Sequence, residues 1–142
     1  MIISTRGRYA LRVLIDLAEH YNGGFTPMKE VAERQDISLK YLERIIPALT
    51  KGGLIEGVHG KGGGYRLTRS PDEYNVWDVL VLTETELAPV ACLEDHAKPC
   101  VRQAECRTLP LWQEFYENMK DFFKSKSIAD LMQYSPSDNY VI

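Results

Sequence analysis

The sequence predicts a mainly α fold, with a winged helix-turn-helix domain followed by a long C-terminal helix. Two short amphipathic segments succeed each other across a tight break, and two strand-like segments flanking a glycine-rich loop follow them. Farther along, apolar and aromatic residues recur at helical spacing over a longer stretch. The order helix, turn, helix and hairpin is typical of domains that bind DNA.

Composition and charge limit the class of protein. The chain has 142 residues, of which 44% are hydrophobic and 26% charged, and it has no run of eighteen apolar residues. A disordered or membrane-spanning chain is therefore not expected, and the lack of an export segment favours the cytoplasm. Residues 1–69 carry 11 Lys and Arg against 7 Asp and Glu, whereas residues 70–142 carry 6 against 13. The basic half predicts contact with a polyanion, and a merely solvated face is the alternative.

Periodicity and capping signals predict the first two helices. The first extends from Thr5 to Tyr21, with an apolar face of Ala10, Leu11, Leu14, Ile15, Ala18 and Tyr21. The second helix is expected to have Thr26 as its N-cap, Pro27 at its first position and its end near Gln35.

The third helix, which is the second of the helix-turn-helix, follows a break at residues 36–37. Ser38 is its expected N-cap, and the glycines at 52–53 end it. Pro47 should bend it, because proline removes a backbone hydrogen bond. The expected buried face comprises Leu39, Leu42, Ile45 or Ile46, and Leu49.

The segment after the third helix has the pattern of a wing. Two short strands, LIEGV and GYRLTR, flank the loop HGKGGG, with His59 and Lys61 at its tip. Glycine permits the positive φ angles that such a loop needs. A phosphate-binding loop is disfavoured, because no Lys-Ser/Thr pair and no helix follow the glycines.

The second half of the chain contains a supporting helix, an irregular loop and a long helix. The segments NVWDVLVLTE and IADLMQ are expected to be short helices. The long helix has an aromatic face, which we expect at a two-fold dimer interface, with an intramolecular core as the alternative. That face comprises Trp112, Phe115, Met119 and Phe122. The chain then divides into a winged domain (1–83), a cysteine loop (84–107), a dimerisation helix with a short helix (108–133) and a tail (134–142).

Candidate DNA contacts follow from the helix-turn-helix. The N-terminal part of its second helix enters the major groove first, so base contacts are expected from Ser38, Lys40, Tyr41, Glu43 and Arg44. Glu43 has a carboxylate that accepts a hydrogen bond from cytosine N4. Phosphate contacts are expected from Arg6, Arg8, Lys29 and Lys61. For each residue alone a solvated charge is an equal alternative, and the motif favours the contact.

The cysteines of the chain, Cys92, Cys100 and Cys106, lie within fifteen residues of one another. Soft thiolates bind iron–sulfur clusters or zinc, and an irregular loop can wrap its sulfurs around either. The spacing C-x7-C-x5-C lacks the close cysteine pair of a zinc finger. Zinc with His96 as a fourth ligand, a thiol redox switch and inert buried cysteines are the alternatives.

Several of these segments together resemble the Rrf2 family of bacterial winged-helix transcriptional regulators, over about residues 1–133. The resemblance is carried by STRGRYALRVLIDLA, ISLKYLERIIPALTKGGLI, VHGKGGGYRLTRSPDEYNVWDV and the three spaced cysteines followed by Leu-Trp. Those cysteines favour the iron–sulfur-regulator branch. The resemblance implies that Cys92, Cys100 and Cys106 hold a [2Fe–2S] or [4Fe–4S] cluster, through which a homodimer on double-stranded operator DNA senses iron–sulfur, redox or nitric oxide status.

The chain departs from the family's pattern at two positions. Leu109 stands where one branch has a histidine three residues after the last cysteine. The identity of the fourth ligand is therefore undecided. The candidates are a residue of the partner's N-terminal helix and four loop residues: His96, Asp95, Glu94 and Glu105. His59 stands where many members have arginine, so minor-groove insertion by the wing is expected to be weaker or dependent on pH.

Two other classes of function stay open. One is an iron–sulfur carrier or assembly factor that contains a helix-turn-helix, and the other is a module that partners a metabolic enzyme. Catalytic activity is not expected, because no Ser/His/Asp grouping, carboxylate pair or cofactor fingerprint appears outside the cysteine loop.

Overall fold

The computed structural model describes residues 1–133, and its fold is mainly α with one two-stranded sheet, as the sequence predicts. The helices are α1 (Thr5–Glu19), α2 (Met28–Gln35), α3 (Leu39–Lys51), α4 (Val76–Thr83), α5 (Leu109–Lys124) and α6 (Ile128–Met132). Strands β1 (Ile55–Val58) and β2 (Gly64–Leu67) pair antiparallel. The expected tail lies outside the described residues, and no described helix is long and apolar enough to cross a bilayer.

Helix α1 lies at the centre of the winged domain and packs on more than one side. Ala10 and Leu14 are buried as predicted, but Val13 and Leu17 complete the buried face, and Tyr21 is 59% exposed and lies beyond the helix end. The predicted face was therefore wrong in part. Its error has a physical cause: Leu11 contacts a second apolar cluster around α4, so apolar residues occur on two sides of the helix.

Helix boundaries agree with the capping signals except at α2. Ser38 caps α3, with its side-chain oxygen accepting a hydrogen bond from the Tyr41 amide at 3.1 Å. The prediction for Thr26 was wrong, because Pro27 occupies the cap position of α2 and has no side chain that can accept. Leu39 is 38% exposed rather than buried, since it begins α3 at the edge of the core. The helix continues through Pro47.

Hydrogen bonds connect the wing to the rest of the domain at both of its ends. Thr26 and Tyr65 exchange two backbone hydrogen bonds of 2.8 Å, which extend the β1–β2 hairpin to the segment before α2. Gly64 makes this contact possible, because its φ is 152° and a Cβ there would lie 2.3 Å from the Thr26 backbone. At the other end, the Tyr74 hydroxyl donates to the Leu54 carbonyl at 2.6 Å.

The chain returns to the winged domain after α5. Ile128 in α6 is fully buried in the main core, and its amide donates to the Tyr74 carbonyl at 3.2 Å. The Val76 amide donates to the Lys126 carbonyl at 2.9 Å, which ties the start of α4 to the same segment. The C-terminal end of α5 is thereby connected to the start of α4.

Candidate nucleic-acid interface and cysteine cleft

One face of α3 is exposed along the whole helix, opposite its buried side. This face comprises Lys40, Glu43, Arg44, Pro47 and Lys51, at the three- and four-residue spacing of one helical surface. None of the ion pairs within residues 1–133 involves Lys40 or Arg44. Both cations are therefore free, within this part of the chain, to meet a polyanion.

Two of the candidate base contacts also have structural roles. Ser38 uses its oxygen to cap α3, and half-buried Tyr41 packs its ring edge-on against Tyr9, with ring centroids 5.4 Å apart. These contacts orient α3 against α1. Any DNA contact by either side chain would be additional to them.

The candidate phosphate contacts lie on three separate parts of the domain. Arg6 and Arg8 are in the first turn of α1, Lys29 is in the first turn of α2, and Lys61 is in the wing loop, together with His59, the candidate for the minor groove. All five are exposed, and Arg8 donates to the Thr5 hydroxyl at 3.0 Å. Within the described residues none forms an ion pair, so the charges of the four Arg and Lys side chains face solvent.

The sequence reasoning missed a buried carboxylate that joins the first two helices. Asp16 is fully buried and accepts hydrogen bonds from Arg34 Nη2 at 2.8 Å, Arg34 Nε at 3.1 Å and Gln35 Nε2 at 3.0 Å. The hydrogen bond to Asp16 raises the pKa of the Arg34 guanidinium above its ordinary value. An aspartate between Val13 and Leu17, on an apolar helix face, was the available signal. This pair positions the helix-turn-helix on α1.

The three cysteines line one cleft, between the cysteine loop and the first turns of α5. The cleft has a volume of about 210 Å³. All three thiols are free and exposed, so the alternative of inert buried cysteines is wrong. Within residues 1–133, no three His, Cys, Asp or Glu side chains form a ready site for a single metal ion.

The other residues that line the cleft bear on the fourth ligand. Its further polar side chains, among the described residues, are Lys98, Gln103 and Gln113, and Leu109 lies on the same wall. His96 does not line the cleft, and its backbone has a left-handed φ of 63°. The carboxylates considered as ligands, Glu94, Asp95 and Glu105, do not line it either.

The neighbours of the Cys106 thiol lower its pKa. Its Sγ lies 3.5 Å from the Thr108 hydroxyl, and this hydrogen bond is the largest cause of a lowered pKa. Backbone hydrogen bonds from Thr108 and Leu109 and the charge of Arg102 act in the same direction. A thiolate is the form that binds metals, so these contacts favour ligation at Cys106.

The cysteine loop has no hydrophobic core of its own. Leu87 and Ala88 are buried, and their amides donate to the Glu86 carboxylate at 2.8 and 2.7 Å. From Pro89 to Thr108, by contrast, no residue is buried, and regular structure is limited to two short 3-10 turns. Loops of this length without structure of their own are commonly functional.

Helix α5 leaves a large apolar surface uncovered. It has no buried residue over its sixteen positions. Of the four predicted interface residues, Trp112 is 36%, Phe115 46% and Phe122 56% exposed, and Met119 is half-buried. The neighbouring side packs on α4, where the Tyr116 and Trp77 rings are 6.3 Å apart. The exposed side is therefore available to a further surface.

Comparisons with known proteins agree with this architecture. A family model described as "Rrf2: Iron-dependent Transcriptional regulator" matches residues 3–134. The chain is 39% identical to Protein rrf2 of Nitratidesulfovibrio vulgaris, over 94% of this chain and 88% of that protein. It is 36% identical to the HTH-type transcriptional regulator IscR of Aliivibrio salmonicida, over 93% and 77%. The solved structure of CymR, described as the global cysteine regulator of B. subtilis, matches with a TM-score of 0.76 at 32% identity, over 95% and 98% of the two chains.

Proposed function

The chain belongs to the Rrf2 family of transcriptional regulators, and from this premise we propose that an iron–sulfur cluster on Cys92, Cys100 and Cys106 controls its binding to operator DNA. One observation carries the proposal: three free thiols line a single cleft in a loop that buries no residue between Pro89 and Thr108. Cysteine thiolates are the usual protein ligands of such clusters. The family's description as iron-dependent supports the same chemistry.

The residues of the cleft fit such a group in ligand type, and all three cysteines line the same cleft. Three soft donors are present, and Cys106 is biased toward its thiolate form. When bound, the cluster would link three points of the loop, and its presence would depend on iron supply and redox state. Leu109 and Gln113 of α5 line the same cleft. Holding the three thiols together would therefore fix the loop against the start of α5.

The DNA complex that we propose uses α3 and the wing of two protomers. The exposed face of α3 would meet bases through Lys40, Glu43 and Arg44, and Lys61 in the wing would meet phosphate. The apolar face of α5 would join the protomers, because an isologous contact of this surface with its own copy gives two-fold symmetry. Such a dimer holds its two α3 helices at one fixed distance, so it fits two DNA half-sites that have the same separation.

A second candidate is control by the thiols without a cluster. The similarity to CymR, described as a global cysteine regulator, favours it, as does the hydrogen bond that lowers the pKa of Cys106. Zinc at the cleft and control through a metabolic-enzyme partner are further alternatives.

The test of the proposal is a metal and sulfide analysis of protein purified without oxygen. We expect a coloured protein that contains iron and acid-labile sulfide, with Mössbauer spectra that identify the cluster type. Stoichiometric zinc without sulfide would establish the zinc alternative. Protein free of both would leave the thiols themselves as the sensor.

A further inference from the structure

A second and larger cleft lies at the base of the wing. It has a volume of about 530 Å³ and separates the C-terminal end of α1 from the end of β2. Small-molecule sites commonly have volumes of about 300–1,000 Å³. The apolar part of its lining comprises Leu17, Ala18, Tyr21, Leu67 and Pro71. The polar part comprises Glu56, Arg66, Thr68, Arg69 and Ser70.

Two guanidinium groups supply positive charge to this cleft, and each lies over an aromatic ring. Arg66 has its Cζ 4.4 Å from the Phe25 ring centroid, and its Nε donates to Glu56 Oε1 at 2.7 Å. Arg69 has its Cζ 4.9 Å from the Tyr74 ring centroid. Stacking on a ring restricts an arginine and prepares its planar fork for a ligand.

The charge of the lining is not balanced within the cleft. Glu56 pairs with Arg66, whereas no ion pair within residues 1–133 involves Arg69. Arg69 does donate to the Gly53 carbonyl, but at 3.4 Å, and it has no carboxylate partner in this part of the chain. A guanidinium without such a partner is suited to a carboxylate, which accepts two parallel hydrogen bonds from it. The cleft therefore favours a ligand with one negative charge.

The apolar part of the lining indicates what else the ligand contains. Tyr21 is 59% exposed, although it is a large aromatic residue, and Ala18, Leu67 and Pro71 line the same cleft. A flat or branched hydrocarbon body would remove this surface from water. A DNA phosphate would satisfy Arg69 but would leave the apolar lining unused.

From this combination we propose that the cleft binds a small organic monoanion, with a carboxylate on Arg69 and an apolar body against Tyr21, Ala18 and Leu67. The site shares no residue with the cysteine cleft or with the exposed face of α3. Its occupant would lie between α1 and the strand that leads from the wing. A ligand that binds one wing position better than another shifts the wing toward that position.

The experiment uses the full chain, labelled with ¹⁵N, and follows amide shifts by NMR. The probe is phenylbutyrate, and its matched control is the uncharged amide of the same acid. We expect saturable shifts at the amides of Ala18, Tyr21, Leu67 and Arg69, and at least tenfold weaker binding of the uncharged amide. Arg69→Gln, which removes the charge, and Ala18→Leu, which narrows the cleft, should each weaken phenylbutyrate binding at least tenfold. Arg107→Gln, the same exchange in the cysteine loop, should leave it unchanged.

Several results would overturn the proposal. These are the absence of saturable shifts in the native protein, equal binding of acid and amide, or unchanged affinity in both cleft variants. A further outcome would assign the Arg69 guanidinium to a DNA phosphate instead. In that case the native protein does not bind phenylbutyrate, and Arg69→Gln binds random DNA more weakly than the native protein does. The comparison of acid with amide in the native protein does not depend on any variant folding.

Discussion

Arg44 and Lys61 carry the same charge, but they lie on different elements of the proposed DNA-binding surface. Arg44 is on the exposed face of α3, where a guanidinium can make two hydrogen bonds to guanine, whereas Lys61 is in the wing loop. We predict that Arg44→Gln costs about 1–3 kcal/mol at one base pair, while Lys61→Gln weakens binding to all sequences and flattens the salt dependence. Titrations on selected operator and on random DNA at several salt concentrations measure both effects. Equal losses on the two DNAs for Arg44→Gln would contradict the base contact.

The cysteines give the second prediction for single residues. Cys92→Ala, Cys100→Ala and Cys106→Ala should each abolish the cluster, because each removes a ligand from the same cleft. His96→Ala serves as the control, since His96 does not line the cleft, and it should retain iron and sulfide. Iron and acid-labile sulfide per protomer are the measurements. A cysteine variant with a full complement of both would rule out that residue as a required ligand.

The residues of the cysteine loop also show where sequence reasoning stops. Type and spacing were sufficient to select Cys92, Cys100 and Cys106, which line one cleft. They could not exclude His96, because a loop without periodicity gives no information on which way a side chain lies. The left-handed backbone at His96 and the position of Leu109 on the cleft wall depend on the folded loop.

The helices and strands were predictable where their signals are local. Three such signals depend only on residues near them in the sequence: the Ser38 cap, the glycines of the wing and the apolar repeat of α5. The boundaries of the elements that they predict agree with the structure. Thr26 was assigned wrongly for a different reason. Thr26 pairs with Tyr65, far along the chain, and no local signal announces that contact.

This pairing gives a prediction for the wing. Gly64→Ala would place a Cβ 2.3 Å from the Thr26 carbonyl, against backbone that a side-chain rotation cannot relieve. Gly62→Ala is the matched control, because Gly62 also has a positive φ, of 77°, but no atom lies within 4 Å of its Cβ position. We expect Gly62→Ala to cost about 1–2 kcal/mol in the free energy of unfolding, from the left-handed backbone alone, and Gly64→Ala to cost clearly more. Urea denaturation compares them, and equal losses would mean that the Thr26–Tyr65 pairing adds nothing.

The uncovered face of α5 leads to a prediction about assembly. We expect a homodimer at micromolar concentration, and Phe115→Asp with Phe122→Asp should give a folded monomer, because a desolvated carboxylate is costly in an apolar interface. Val58→Asp changes an equally exposed apolar residue on β1 and should leave the dimer intact. Light-scattering mass resolves the two states. A native protein that is a stable monomer would refute the interface.

At the scale of the whole molecule, α4 connects the cysteine loop to α3. At one end, a Cβ on Gly52 after α3 would lie 2.3 Å from the Leu82 side chain of α4, so α3 and α4 are in close contact. On the other side, Trp77 of α4 packs against Tyr116 of α5. A change in the loop between α4 and α5 therefore acts on elements that set the position of α3 relative to the proposed dimer axis.

The central claim is that an occupied cysteine cleft changes operator binding, and a DNA titration of three forms of the protein tests it most directly. The forms are cluster-loaded protein, cluster-free protein and Cys92→Ala, each measured on selected operator and on random DNA. We predict that the loaded form differs from the other two by about tenfold or more in affinity or operator preference, which needs only about 1.4 kcal/mol of differential stabilisation. Sequence-specific binding in any form would also exclude a mere iron–sulfur carrier. Indistinguishable curves for all three forms would contradict control of DNA binding by the thiols at 92, 100 and 106.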